Sequence, residues 1–431
     1  MLRSFVVVVW VASAFVVAPS RVAAQGQNPP LSELLPQLYA RVIFAERDAF
    51  VEFLPGIINI NELNDAALSR FREETFPIIR LAGNQLSSFP LAAASGGFTW
   101  TFDTASGAAM RTSNSFGPIF GERPLTIGRN RLNVGANFQR VTFDHLEERS
   151  LRGGDIVSYL SVPFFFDYFY FENALDLKLT TETLNVFATY GVTDRMDVGV
   201  AIPINRVDVE AKLTARFGLA SSGLDEEFVP VDFSESGTAS GVGDVVIRAK
   251  FNIFTSETWG IAESVDVRLP TGDELNLLGI AGPQVKLTFI AASAVGQLSP
   301  HANLAYTISG ASPSATDPNT YVFEPREEIN YAAGADLALS PRATVAADLV
   351  GRVMRGAGTM TWGPAFEEAQ FTQYQQFDFT DRRDLHLLLG SVGLKVNPFK
   401  TILFTANVLF PLRKNGLTDR LTWMASVDYS F

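Results

Sequence analysis

The fold class predicted for this chain is all-β, an antiparallel transmembrane barrel of about twelve strands of the bacterial outer-membrane kind. A short helical N-terminal segment precedes it. Three observations lead there: period-two alternation at the C-terminus, a sorted pattern of short turns and long loops, and an export signal followed by no helical membrane span.

The alternation is plainest in the last stretch, Arg420 to Phe431. Leu421, Trp423, Ala425, Val427, Tyr429 and Phe431 fall on one face of an extended strand, and Thr422, Met424, Ser426, Asp428 and Ser430 on the other. One face suits lipid and the other water. A terminal Phe431 with Tyr429 and Val427 at every second place resembles the carboxy-terminal signature by which outer-membrane proteins are handed to the barrel-assembly machinery. That machinery and the lipid bilayer are the expected partners.

At the front, Met1 to Ala24 reads as a secretory signal. Arg3 supplies the charged end, Phe5 to Val17 the apolar run and Val22-Ala23-Ala24 the cleavage site. The run is too short for a bilayer of ~30 Å hydrocarbon thickness. Loss of Arg3 and Arg21 with the signal takes the formal charge from −12 to −14, which disfavours nucleic acid as a partner. With no cysteine, disulfides, thiolate metal sites and cysteine nucleophiles are excluded.

Residues 25–129 form the helical N-terminal segment and connector. Leu31, Leu34, Leu35, Leu38, Tyr39, Val42 and Ile43 recur at helical spacing, with Pro36 expected to limit or kink that helix. A second helix is predicted behind Asn64, carrying Leu68 and Phe71. These faces are too small for a core of their own, so the segment is expected to contact the barrel, either as a plug in its mouth or as an extension on its rim. Ser95 to Arg129 reads as a Gly/Ser/Thr-rich connector with a short strand at Phe98 to Phe102.

Residues 130–431 are the barrel. Leu132, Val134, Ala136 and Phe138 alternate with Asn133, Gly135, Asn137 and Gln139 in the first strand. Brief turns follow at 193–195, 255–257, 297–300, 340–342 and 397–399. Between them lie long connections near 145–173, 215–241, 270–283, 309–327 and 356–383. Short periplasmic turns alternating with long outer loops are the asymmetry of an outer-membrane barrel. Strand starts near 130, 174, 196, 242, 259, 284, 300, 328, 342, 384, 400 and 420 give an even count.

With the apolar face toward lipid, Asp244, Arg248, Lys250, Asp266, Arg268, Asp348 and Arg352 line the lumen, along with Asn252, Lys286, Asp336, Lys395 and Asp428. Such walls either orient a polar solute or pair with each other to fill a narrow interior. Glu263 falls on the lipid side, where a bulge would account for it. Two outer loops are dense in aromatics, Phe164 to Phe171 and Phe366 to Phe379. Phe165, Tyr168, Tyr170, Phe371 and Tyr374 are candidates for capturing an apolar solute, or else they form the core that closes the barrel top. The three histidines, His145, His301 and His386, lie on separate segments, so neither a metal site nor a cofactor is expected and no enzyme chemistry is assigned. His301 with Asn303 reads as a polar lumen pair. Gly241-Val242-Gly243-Asp244 has Val246 where a dinucleotide loop needs its third glycine, and reads as a loop entering a strand.

Three stretches carry a resemblance to a known family: Y-G-V-T-D-R-M-D-V-G-V-A-I-P-I at Tyr190 to Ile204, G-V-G-D-V-V-I-R-A-K-F at Gly241 to Phe251, and R-L-P-T-G-D at Arg268 to Asp273. They are similar to the outer-membrane proteins labelled "meta-pathway of phenol degradation", over roughly Asn130 to Phe431. The resemblance implies a barrel admitting small hydrophobic or aromatic molecules. It also implies a purpose like that of the long-chain fatty-acid transporters, which carry an N-terminal plug. The expected function is therefore a passive outer-membrane channel, with a closed structural or surface-binding barrel as the alternative.

Overall fold

The computed structural model describes residues 29–53, 75, 78–86, 100–102, 109–111, 115–164, 167–221, 223–224, 230–311, 325–366, 369–380, 383–399 and 401–431. The signal at 1–24 and the helix expected behind Asn64 lie outside them.

Twelve strands close on themselves: β1 (Leu132–Phe143), β2 (Asp167–Thr193), β3 (Met196–Leu219), β4 (Val246–Thr255), β5 (Trp259–Arg268), β6 (Gln284–Ser293), β7 (Leu298–Ser309), β8 (Glu328–Ser340), β9 (Ala343–Met354), β10 (Leu385–Phe399), β11 (Ile402–Pro411) and β12 (Thr422–Ser430). Each pairs antiparallel with its sequence neighbours, and closure comes from β12 on β1, where Ala425 faces Phe138 and Tyr429 faces Val134. The twelve-strand wall thereby closes on itself. The short turns lie between Thr193 and Met196, Ser340 and Ala343, and Phe399 and Ile402, at the end where β1 begins and β12 finishes.

Alternation decides which face meets lipid. Val186, Ile202, Ile247, Phe289, Leu304 and Trp423 are 39–59% exposed on the outer wall. Inward-facing Asn185, Asp266, Asp348 and Asp428 are buried. An apolar belt outside and polar groups inside identify a barrel that spans a bilayer. None of the described helices is long and apolar enough to cross a membrane. Glu263 stays on the exposed face opposite Phe251 and Phe289 without a bulge of its own; the register slips on the neighbouring strand instead, between Asn252 and Phe254.

The strands β2 and β3, 27 and 24 residues long, run well past this belt. Outward-facing Val198, Val200, Ile202 and Ile204 give way along β3 to Arg206, Asp208, Glu210 and Lys212, which pair with Asp208, Lys178 and Asp232 on the same surface. Inward-facing Asp197 and Asn205 give way to Val207, Val209, Ala211 and Leu213, 0–6% exposed. The polarity of the wall inverts where lipid ends and water begins. Residues 215–241 and 145–173, expected as loops, therefore hold sheet: β3 reaches Leu219, Val231–Val242 pairs with its outer half, and Ile156–Phe164 pairs with β2.

The inverted inner surface receives α1 (Leu31–Phe53). Leu34, Leu35, Leu38, Tyr39 and Val42 are buried in one cluster with Leu175, Leu177, Val209 and Leu213. Burial of each large side chain contributes roughly 1.5–3 kcal/mol. The helix does not stop at Pro36: near the N-terminus a proline forfeits one backbone bond, and the Leu34, Leu35 and Leu38 packing outweighs that loss. Gly237 permits the close approach, because a Cβ there would stand 2.6 Å from Leu31. The strand at Trp100–Phe102 pairs with Ala109–Arg111 and stays apart from the barrel sheet.

Candidate functional site

The interior is occupied at two levels by residues that precede the barrel. In the outer half, the first backbone N–H groups of α1 are capped from the 270–283 loop: Leu31 donates to Asn276 Oδ1 at 3.2 Å and Ser32 to the Leu275 carbonyl at 3.0 Å. Arg41 pairs with Glu235. A helical run at 78–86 follows, where Gln85 exchanges hydrogen bonds with the backbone of Leu417, 2.6 Å to its N–H and 3.3 Å to its carbonyl.

In the periplasmic half, residues 115–128 form a strap with no regular structure. A buried backbone needs a partner for every N–H and C=O, and inward side chains of the barrel supply them. Phe116 N–H donates to Thr344 at 3.0 Å, Ile119 and Phe120 N–H both donate to Asp348 Oδ2 at 3.1 Å, and Ile127 N–H donates to Asp197 Oδ2 at 3.1 Å. Lys395 Nζ donates to the Pro118 carbonyl at 2.6 Å and Lys250 Nζ to that of Leu125 at 2.9 Å. Asn252 holds the Pro124 carbonyl at 2.9 Å. Ser115 bonds Asp336, and Glu122 pairs with Arg248. His301 bridges Asp348 at 2.7 Å, and Asn303 accepts from Glu122 N–H at 2.8 Å, so both are wall polar groups serving the strap.

Between these two levels lies a chamber of about 240 Å³. Arg248, Asp266, Arg268, Lys286, Glu328 and Arg352 face it from the strands, Glu122 and Phe120 from the strap, and Gln85 from above. Arg248 is the hub of one side: its guanidinium holds both oxygens of Asp266 at 2.5 and 2.7 Å and also Glu122. Arg352 bonds Glu328 at 2.5 Å and the Asn84 carbonyl at 3.2 Å. Two carboxyls near the outer mouth, Glu147 and Asp419, are pushed above the usual carboxylate range by burial; backbone and Thr422 hydrogen bonds work against this, and Glu148 and Asp144 add to it.

The seven residues expected to line the lumen thus divide. Arg248, Asp266, Arg268 and Arg352 meet the chamber; Lys250 and Asp348 hold the strap. Asp244 pins the 270–283 loop by accepting from Gly272 at 3.0 Å and Ile280 at 2.8 Å. Of the aromatic candidates, Tyr170, Phe371 and Tyr374 gather with Tyr159 and Phe366, ring centroids 5.2–5.9 Å apart, and Tyr170 and Phe371 are buried. Phe165 lies outside the described residues, and Tyr168 is described only in its backbone. At the end of β12, Phe431 N–H bonds the Leu132 carbonyl at 2.8 Å and its ring meets Tyr429 edge-on at 4.5 Å, with Val427 facing Phe404 and Ala136 across the seam.

Sequence reasoning missed the strap, reading it as connector. Its signal was present: Phe116, Ile119, Phe120 and Ile127 are too apolar for a solvated linker, and Glu122-Arg123 sits among them. Among the described residues no cluster could hold a metal ion.

No functionally curated protein matches the chain. Among solved structures, an outer membrane channel from Pseudomonas putida F1 is 14% identical with a TM-score of 0.43, covering 71% of this chain and 97% of that one. The CymD monoaromatic hydrocarbon channel (10%, TM-score 0.32, 72% and 91%) and the translocator domain of the autotransporter NalP from Neisseria meningitidis (12%, 0.32, 70% and 89%) stand at a similar remove. A family model described as "Putative MetA-pathway of phenol degradation" matches residues 109–346, more than half of the chain and including the whole strap, so this outer-membrane barrel belongs to that family.

Proposed function

We propose that the protein is a passive outer-membrane channel for small hydrophobic or aromatic molecules, plugged by α1, the helical run at 78–86 and the strap at 115–128. One observation carries the reading: a chamber of about 240 Å³ lies inside the barrel between two layers of the chain's own N-terminal segment. A barrel with a purely structural role could fill its interior with side chains alone. Here the strap is tied to the wall by hydrogen bonds and ion pairs, which exchange for water, as well as by the buried Phe116, Ile119 and Ile127. Solute would meet the outer loops at Tyr374, on the partly exposed edge of the cluster that buries Tyr170 and Phe371, and pass the charges at Arg248, Asp266, Arg268 and Arg352. The mechanism is diffusion down a gradient and uses no cofactor. Val427, Tyr429 and Phe431 would be read by the barrel-assembly machinery during insertion.

Planar-bilayer conductance tests this. The mature protein is expected to be nearly silent, a variant starting near Gly97 to flicker, and one starting at Asn130 to conduct steadily. Silence of all three would favour the other reading, a closed barrel, for which the mutual pairing of Arg248, Glu122 and Asp266 is the supporting observation.

A further inference from the structure

The chamber is cationic in a chain that is acidic overall. Its formal charge is −12, yet Arg248, Arg268, Lys286 and Arg352 face the chamber against Glu122, Asp266 and Glu328. These charges are not equally engaged. Arg248 takes up both nearby acids, Asp266 by two hydrogen bonds and Glu122 by a third. Lys286, across β5 and β6 from Asp266, is left with a contact of 3.8 Å, beyond hydrogen-bond range. Its Nζ donates no hydrogen bond among the described residues, and the side chain is 37% exposed although it points inside the barrel. The charges that act on it are Asp266, Arg248, Glu122 and Arg268, two acids already held and two further cations. Next to it on the same face, the Thr288 hydroxyl is buried without a partner, as is that of Ser264 directly opposite.

An ammonium with unused donors beside two unsatisfied hydroxyls is an arrangement that accepts an oxyanion. The rest of the chamber includes Phe120, Phe143 and Ala305, which offer apolar surface to a ring. A cavity of about 150 Å³ suffices for benzene, so about 240 Å³ admits one ring with a carboxyl group. We propose that the chamber is a binding site for single-ring aromatic carboxylates, with Lys286 receiving the carboxylate and Thr288 completing its hydrogen bonds. This deepens the channel reading and rests on it, in that solute must reach the chamber.

The test uses the refolded mature protein with benzoate and the neutral benzyl alcohol as probes. Binding is read by equilibrium dialysis and flux by uptake into proteoliposomes, for wild type, Lys286→Met and Lys286→Arg. Heat-modifiable mobility verifies that each barrel is folded, with Lys286→Gln in reserve. Loss of the charge should weaken benzoate binding about tenfold while the Arg variant retains it, and benzyl alcohol should be indifferent to all three. Benzoate bound equally by wild type and Lys286→Met, or by neither, overturns the site. Flux separates the two ideas: benzyl alcohol crossing with no Lys286-dependent benzoate binding leaves the channel reading intact and removes the site. Absence of all flux removes the channel reading, while dialysis still decides whether Lys286 binds the acid.

Discussion

Arg248 shows how much one inward side chain can carry. It is paired on both sides with carboxylates that are 8% and 9% exposed, so its removal strands two buried charges. Breaking such a pair costs about 3–5 kcal/mol, whereas removing all partners together is far milder. Arg248→Ala is therefore expected to lower the unfolding free energy of the lipid-embedded barrel by that much, read from the fall of its urea midpoint. The triple change Arg248→Met, Glu122→Gln, Asp266→Asn should recover most of it; a triple variant as weak as the single one would contradict the pairing account. That Arg248 and Asp266 point inward was legible from period-two alternation alone. That Glu122 would join them was not, since the contact is 126 residues away in sequence and arises from a segment without periodicity.

Among the elements, α1 is the one whose sequence spoke most clearly and whose place was least clear. Its helical stripe of Leu34, Leu35, Leu38 and Val42 announced an amphipathic face, but the surface that covers it is built from β2 and β3 beyond the lipid belt. Strands were expected at 174–215, but with their apolar face on lipid, and here the code is reversed, so the inward apolar surface at Leu175, Leu177, Val209 and Leu213 was not. Leu38 has no exposure, and Leu38→Ala should cost the docked helix about 2–5 kcal/mol. Hydrogen exchange would register this as faster exchange across 31–53, with β5 to β8 unchanged. A uniform acceleration over the whole barrel would mean that helix and wall unfold as one unit.

On the scale of the whole molecule, the number of strands, their order and the closure were readable because one rule, apolar out and polar in, repeats around the barrel with short turns as punctuation. The chamber was not readable, because it depends on which lumen charges another segment occupies. The belt makes its own prediction. Phe289, 52% exposed at the lipid face, should tolerate arginine poorly, Phe289→Arg costing about 2–4 kcal/mol. Glu210→Arg, on the inverted stretch of β3, should cost less than about 1 kcal/mol. Refolding titrations in lipid vesicles compare the two, and equal penalties would place the boundary elsewhere.

The reversal between Ile204 and Arg206 also acts as a waterline. Sliding the barrel inward by one pair of residues would draw Arg206 and Asp208 into hydrocarbon, and sliding it outward would lift Ile202 and Ile204 into water. The opposite wall, from β5 to β8, has no such tall extension, so only one flank is held firmly at its depth. In a bilayer thinner or thicker than the belt, the molecule would respond by leaning about the β2–β3 flank, much as a hull moored along one side swings when the tide changes.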